Sequence, residues 1–375
     1  MFGKRNPKIA WIILVAMLLA AIACSSGDTG DEAETDEATE VIEDQPKEEP
    51  KEEPKGEPKE DSQPEPESGG SGLTLGNVPA LDILRSGTIS ETPLLATATS
   101  PDSGQFATFG FDKVVRIYDA DSGDLLREMP GAGEYGFGLA YSPDGSVLAS
   151  TAGFHVLLWN PNTGEKLRDV IVNSFAFRVV WAPDSSALAV VGDGSSKIEI
   201  IDPISGSIVD TLRNPSGQIL WAVAYSPDGR LLATADGNGR LSVVEAETAN
   251  IEFEDLQPSR GAAWDLEFSP DGSMLASCNA GGGVYIWDTS TWEVVLSGDD
   301  LFTGGCTDGD FNEDSNIYFG VGHDGWFYAW DTAEGALLTQ LDFPKAIWSV
   351  SVAGNNQYLT LAVDDGSAYV LGIPE

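Results

Sequence analysis

Between Trp221 and Asp255 the chain writes four short apolar runs, WAVAY, RLLATA, RLSVVE and IEFED, separated by Pro, Asp, Gly and Asn. Runs of five or six residues bounded by turn formers predict β-strands, because a helix needs ten or more residues to bury a stripe. Ser226-Pro227-Asp228-Gly229, between the first two runs, is a turn with a mechanism. Pro sets φ at its second position, Asp suits the third, and Gly closes it. Asp236-Gly237-Asn238-Gly239 joins the second run to the third, and segments of the kind DADSG, NPNTG, DPISG and DTAEG join the third to the fourth.

This unit repeats. Pro101, Pro143, Pro183, Pro227 and Pro270 stand in SPDS, SPDG, APDS, SPDG and SPDG, at separations of 42, 40, 44 and 43 residues. A second marker keeps step with it: RIYD to Asp119, LLWN to Asn160, EIID to Asp202, SVVE to Glu245, YIWD to Asp288 and YAWD to Asp331. FNEDSNIYFGVG (311–322) and VAGNNQYLTLAV (352–363) take the place of the turn phrase in two decayed copies, which makes seven. Four-stranded sheets of this period bury both faces only by stacking around an axis. The predicted fold is all-β, a seven-bladed β-propeller of four-stranded antiparallel blades, occupying residues 73–375.

SPDG followed by IWD or WD in this register resembles the WD-repeat family. The resemblance implies a ring closed by an N-terminal segment that completes the last blade, and residues 79–86 are expected to supply that strand. It also implies a protein-binding surface at one mouth of the central channel. The Gly-His pair that precedes each family repeat is missing, and the chain holds only two His. The family's buried His–Asp–Ser/Thr–Trp network is therefore not expected, and stability should rest on apolar stacking between blades. A six-bladed periplasmic propeller of the Tol-associated type also repeats SPDG, but seven in-step copies and the IWD endings argue against it.

The first residues have another character. Lys4, Arg5 and Lys8 precede an apolar run from Ile9 to Ala23, the layout of an export signal. As a helix that run spans roughly 22 Å, short of the ~30 Å hydrocarbon core. Ala21-Ile22-Ala23-Cys24 resembles the lipobox of bacterial lipoproteins, with Ala21 where the family has Leu. Residues 1–24 are thus read as a lipoprotein-type signal peptide and Cys24 as the lipidated residue. Residues 25–72 hold 18 acidic residues, four Lys and a regular spacing of Pro, too little apolar surface to offset ordering entropy. A disordered stalk reaching at most ~100 Å is expected.

Of the chain's formal charge of −40, about −29 falls on residues 73–375. Such a surface repels phosphate backbones and excludes nucleic acid as a partner. Catalytic signatures are few. Asp308 to Asp314 imitates the start of a Ca²⁺ loop, but Glu313 stands where Gly is needed and Phe319 where Glu is needed. His155 and His323 fall on turns of distant copies, so they are not expected to share a metal. No Gly-x-Ser-x-Gly elbow and no phosphate loop occurs. Cys278 and Cys306 fall at one end of adjacent copies, where a disulfide is plausible in an exported chain and two buried thiols are the alternative.

Columns of the repeat carry the remaining signal. At the start of the first strand stand Leu95, Phe137, Phe177, Trp221, Trp264, Thr307 and Trp348, five of them aromatic. This column lies beside the channel mouth opposite the SPDG turns, and aromatic anchors suit interfaces. The next column includes Arg178, Asp265 and Asp308, with Glu267 and Asp310 two residues on. Like charges so placed need compensation by Arg178, channel water or a cation such as Ca²⁺. The function expected is non-catalytic: a monomeric, lipid-anchored scaffold at the bacterial cell envelope, facing outside the cytoplasm. It needs no cofactor and binds a protein or peptide through Phe137, Phe177, Arg178, Trp221, Trp264 and Trp348. The alternative is a Ca²⁺-dependent hydrolase resembling propeller lactonases, using Asp265, Glu267, Asp308 and Asp310.

Overall fold

A computed structural model describes residues 72–374 except 215, 257–260 and 300, with only the backbone described at 255 and 256. The leader, Cys24 and the stalk up to residue 71 lie outside the described residues. The short apolar runs form seven four-stranded antiparallel sheets, six of them from consecutive strands. The seventh takes three strands from the last repeat and its fourth, Asp82–Thr88, from the N-terminal side. This is the seven-bladed propeller that the repeats predict. The closing strand runs antiparallel to Ser367–Gly372, with Asp82 opposite Gly372 and Thr88 opposite Ser367. It begins later than 79–86 because Pro79 sits in a 3₁₀ turn, Val78–Ala80, and has no N–H to give a ladder.

The innermost strands of blades 1 to 7 are Leu94–Thr99, Leu139–Tyr141, Phe175–Trp181, Leu220–Tyr225, Ala263–Phe268, Cys306–Phe311 and Ile347–Val352. Each pair of neighbouring blades shares one apolar cluster. Trp159, Trp287 and Trp330 of the LLWN, YIWD and YAWD endings each fill one such seam. Truncating a ring of this kind costs ~3–5 kcal/mol.

Both sequence markers turn out to be backbone caps. In the SPDG turn Ser142 Oγ accepts from Val147 N at 3.0 Å and donates to Asp144 Oδ1, which accepts from Ser146 N at 2.9 Å. The same pattern recurs at Ser226 and Ser269. The Asp that ends YIWD accepts from Ser290 N and Thr291 N, and Asp331 does the same for Ala333 and Glu334.

The fourth turn position lies in the left-handed region in all seven blades. Gly145, Gly229 and Gly272 hold φ of 70, 72 and 73°, while Ser103, Ser185, Ser315 and Asn356 hold 59, 62, 59 and 57°. The non-glycine residues are more than decay. Ser103, Ser185 and Ser315 each accept, through Oγ at 3.1 Å, the amide of Asn355, Asp144 and Asp271 in the preceding blade. Asn356 Oδ1 accepts Glu313 N at 2.8 Å. Arg85, Arg127 and Arg168 likewise reach the carbonyls of Ala120, Asn162 and Ile204 in the following blade. The apolar stacking expected between blades is present, and backbone groups left over at blade edges also recruit side chains across the gap.

Candidate functional site: an aromatic mouth over a charged channel

Strand pairing shows what the aromatic column is. Between the first two strands the register slips by one residue, and the extra residues are Leu95, Phe177, Trp221, Trp264, Thr307 and Trp348. A β-bulge leaves its extra residue unpaired and re-aims the side chain. In blade 2 the pairing starts only at Leu139, so Phe137 takes the equivalent place just ahead of the strand. Six blades therefore turn one side chain out of the sheet at the same mouth, and the seventh does so from the strand's approach.

The rings meet. Phe177 stacks on Trp221 with centroids 4.8 Å apart, and Phe137 stands edge-on to Phe177 at 6.1 Å. Phe137 reaches Trp348 at 6.3 Å, Trp348 meets His323 at 4.5 Å, and His323 meets Trp264 at 5.2 Å. The expected Phe137, Phe177, Trp221, Trp264 and Trp348 thus form one arc spanning five blades. His323, from a turn of blade 6, is the link that sequence reasoning missed. Leu95, Tyr135, Phe175 and Phe177 make the buried floor of this cluster. Phe137, Trp221, Trp264 and Trp348 are only half buried and keep edges towards solvent. Where the aromatic is absent, Thr307 Oγ1 bonds the carbonyl of Ile347 at 2.7 Å.

Glycines shape the rim. Gly305 holds φ +107°, and a Cβ there would lie 2.7 Å from the Trp264 ring. A Cβ at Gly237 would lie 3.0 Å from Trp221 Nε1. Bare backbone at these two positions leaves room for the indoles at the mouth.

Below the rings runs a cavity of about 230 Å³, lined by Arg178, Asp265, Glu267, Asp308 and Asp310 among others. Arg178 donates to Asp308 Oδ1 at 2.9 Å and lies 3.3 Å from Asp265 Oδ1. It also reaches the carbonyls of Trp264 and Thr307. Arg178 is therefore a structural counter-ion under the mouth, whereas its aromatic neighbours face the opening.

The carboxylates have a second task. Asp265 Oδ2 accepts Gly309 N at 3.2 Å, Asp308 Oδ2 accepts Val350 N at 3.0 Å, and Asp310 Oδ2 accepts Val352 N at 2.7 Å. Ser349 and Ser351 continue the series to Thr97 N and Thr99 N. Each side chain caps an edge amide of the next blade's innermost strand. Of the four carboxylates expected to be able to share Ca²⁺, three are engaged in this stitching and two hold Arg178. Among the described residues no three His, Cys, Asp or Glu side chains are placed to hold a metal ion.

Burial, with Asp308 beside it, raises Asp265 to about 7, against the pull of Arg178. Burial raises Asp310 to about 8, and Glu267 stands well above its ordinary value for the same reason. Arg178 pays for burial but is held above its ordinary value by Asp308 and Asp265. The channel therefore carries protons at neutral pH.

Cys278 and Cys306 join blades 5 and 6 as a buried disulfide, with Cα atoms 5.0 Å apart. That separation lies within the usual 4.4–6.8 Å window. His155 is elsewhere, on the rim of blade 2, bonded to Asp169 at 2.6 Å.

The profile of the family described as WD domain, G-beta repeat, matches residues 206–244 and 256–288. The first runs from the fourth strand of blade 3 into the third of blade 4, and the second from the end of blade 4 through the third strand of blade 5. WD repeat-containing protein SL1-17 of Schistosoma mansoni is 29% identical over 134 residues, which cover 34% of this chain and 42% of that protein. The chain thus spans less than half the length of that relative. Two matched repeats within seven four-stranded blades support a WD-repeat propeller, a fold whose proteins commonly serve as interaction scaffolds.

Proposed function

We propose that this protein is a non-catalytic platform that binds a protein or peptide partner at the aromatic mouth, carried on its acidic stalk by lipidated Cys24 at a bacterial cell envelope. The observation that carries the reading is the contiguous arc of rings, Trp221, Phe177 and Trp348 at bulges and Phe137 ahead of its strand, with Trp264 joined through His323. Aromatic side chains gathered at one spot, half desolvated and held rigid, are what interface hot spots consist of. Lipidation and export rest on residues 1–24, and the disulfide supports an oxidising compartment.

The test uses full-length protein in its native membranes. Crosslinked partners are compared between the wild type and a Trp221→Ala, Trp264→Ala, Trp348→Ala triple variant, with Cys24→Ser examined for membrane release and loss of the lipid mass. A partner retained by the triple variant refutes the mouth, and a Cys24→Ser protein that stays membrane-bound refutes the anchor.

A further inference from the structure

His323 is an odd residue to wedge between two indoles. Its Nδ1 lies 3.1 Å from the carbonyl oxygen of Gly304. A carbonyl only accepts, so Nδ1 carries the proton, and in the neutral ring Nε2 is a bare acceptor. That Nε2 is buried and has no hydrogen-bond partner. Trp264 flanks the ring on one side at 5.2 Å and Trp348 on the other at 4.5 Å. Gly305, at φ +107°, gives the Trp264 ring room, since a Cβ there would lie 2.7 Å from it. An unmet buried acceptor is unfavourable, and a ligand's donor would satisfy it.

The surroundings say what kind of donor. The charged groups facing His323 are Asp364 and Asp324, both acidic. Asp364 accepts Trp348 Nε1 at 3.0 Å, and Asp324 accepts Trp326 N and Thr303 N on the neighbouring turn. The indole faces favour a cation, and the chain's net charge of −40 draws one in.

Resting on the mouth reading above, we propose that the Trp264–His323–Trp348 cluster opens to take a basic side chain of the docked partner, whose N–H then donates to His323 Nε2. The partner segment is accordingly basic, with an Arg or Lys anchored here. Burial holds the His323 ring below its ordinary value, with Asp324 and Asp364 opposing, so the acceptor is present at neutral pH. Protonation of the ring on acidification removes the acceptor and repels the incoming cation.

The chain's two His make the test direct. Full-length protein labelled with ¹⁵N-histidine is titrated with acetylated, amidated tetra-arginine and with the neutral tetra-citrulline peptide of the same shape. The expected result is a shift of the His323 Nε2 resonance with tetra-arginine, an unmoved His155 resonance, and at least tenfold weaker binding of tetra-citrulline. His323→Phe keeps a ring but loses the acceptor, and should weaken tetra-arginine about tenfold. Binding should also fall once the pH drops below the ordinary imidazole range. Equal affinity for the two peptides, an unmoved His323 signal, or full affinity in His323→Phe overturns the subsite. An unchanged His155 signal in His323→Phe shows that the variant is folded. If the native partner still depends on Trp221 and Trp348 while the peptides ignore His323, the mouth stands and only the basic subsite falls.

Discussion

Asp310→Asn isolates the electrostatic cost of the channel. The carboxyl of Asp310 loses its proton near 3.8 in its ordinary state and near 8 in the fold, where burial and then Asp308 and Asp265 oppose its charge. Between those values the native protein binds a proton that the unfolded chain has released, so stability falls as pH rises through the window. One such group changes stability by about 1.4 kcal/mol per pH unit, hence on the order of 5 kcal/mol across the span as an upper figure that channel water reduces. Asp265, raised to about 7, acts in the same direction from about 4 to 7. The surface turn aspartates such as Asp144 and Asp228, lowered chiefly by Ser142 and Ser226, act oppositely but only below about pH 4. The wild type should therefore be most stable near pH 4–5 and lose stability towards pH 8. Asparagine keeps an oxygen for Val352 N and cannot ionise, so the variant should match the wild type at pH 5 and exceed it by at least ~1 kcal/mol at pH 8. Urea unfolding midpoints at pH 5, 6, 7 and 8 measure this, and repetition at 0.5 M salt removes the repulsion among surface charges. Parallel curves for the two proteins would refute the reasoning.

Three further outcomes follow from the blade seams. Ser315→Ala loses the acceptor for Asp271 N yet keeps a left-handed φ of 59°, costing ~1–2 kcal/mol, whereas Ser315→Gly loses the same bond but relieves the backbone and should be nearly neutral. Equal unfolding midpoints for the two would show that no strain is held there. Cys278 and Cys306 should resist alkylation in denaturant until reduced, read by intact mass, and reduction should cost roughly 3–4 kcal/mol for a separation of 28 residues. Gly305→Ala sets a Cβ against the Trp264 ring at φ +107° and should destabilise by ~1–3 kcal/mol while shifting indole fluorescence. An unaltered spectrum would mean the rim yields without moving the ring.

The sequence made the period and the seven blades legible, because turn chemistry and strand alternation are local, while the closing strand was expected only from the family resemblance. The bulge was not legible: no residue type marks it, and Leu95, Thr307 and Trp348 share the place through pairing register alone. That register also decides the acidic column. Asp265, Asp308 and Asp310 looked like a ligand set because their columns align, yet the offset between neighbouring innermost strands points each at a backbone amide. Ser103, Ser315 and Asn356 looked like loss of Gly, and only the preceding blade's amide, some 40 or more residues away in the other two cases and 252 in the first, explains them. His323 was placed on the correct turn, but its two indoles come from blades on either side of it.

Neighbouring innermost strands are coupled through charged side chains. Stitching amides with carboxylates rather than hydroxyls occurs at blades 5 and 6, while blade 7 uses Ser349 and Ser351. Arg178, alone in the cavity lining as a cation, faces four acidic side chains there. Its charge is spent on Asp308 and Asp265, where fixed geometry and burial make it a permanent part of the fold. Glu267 and Asp310, the two carboxyls left over, are raised by burial and keep their protons at neutral pH, so the channel adds little net charge beneath Trp264 and Trp348. Attraction for a basic partner side chain at the mouth rests instead on Asp324 and Asp364 beside His323. Loss of Arg178 would leave Asp308 and Asp265 uncompensated, at ~3–5 kcal/mol of stability. One cation is therefore locked into the ring beneath the mouth.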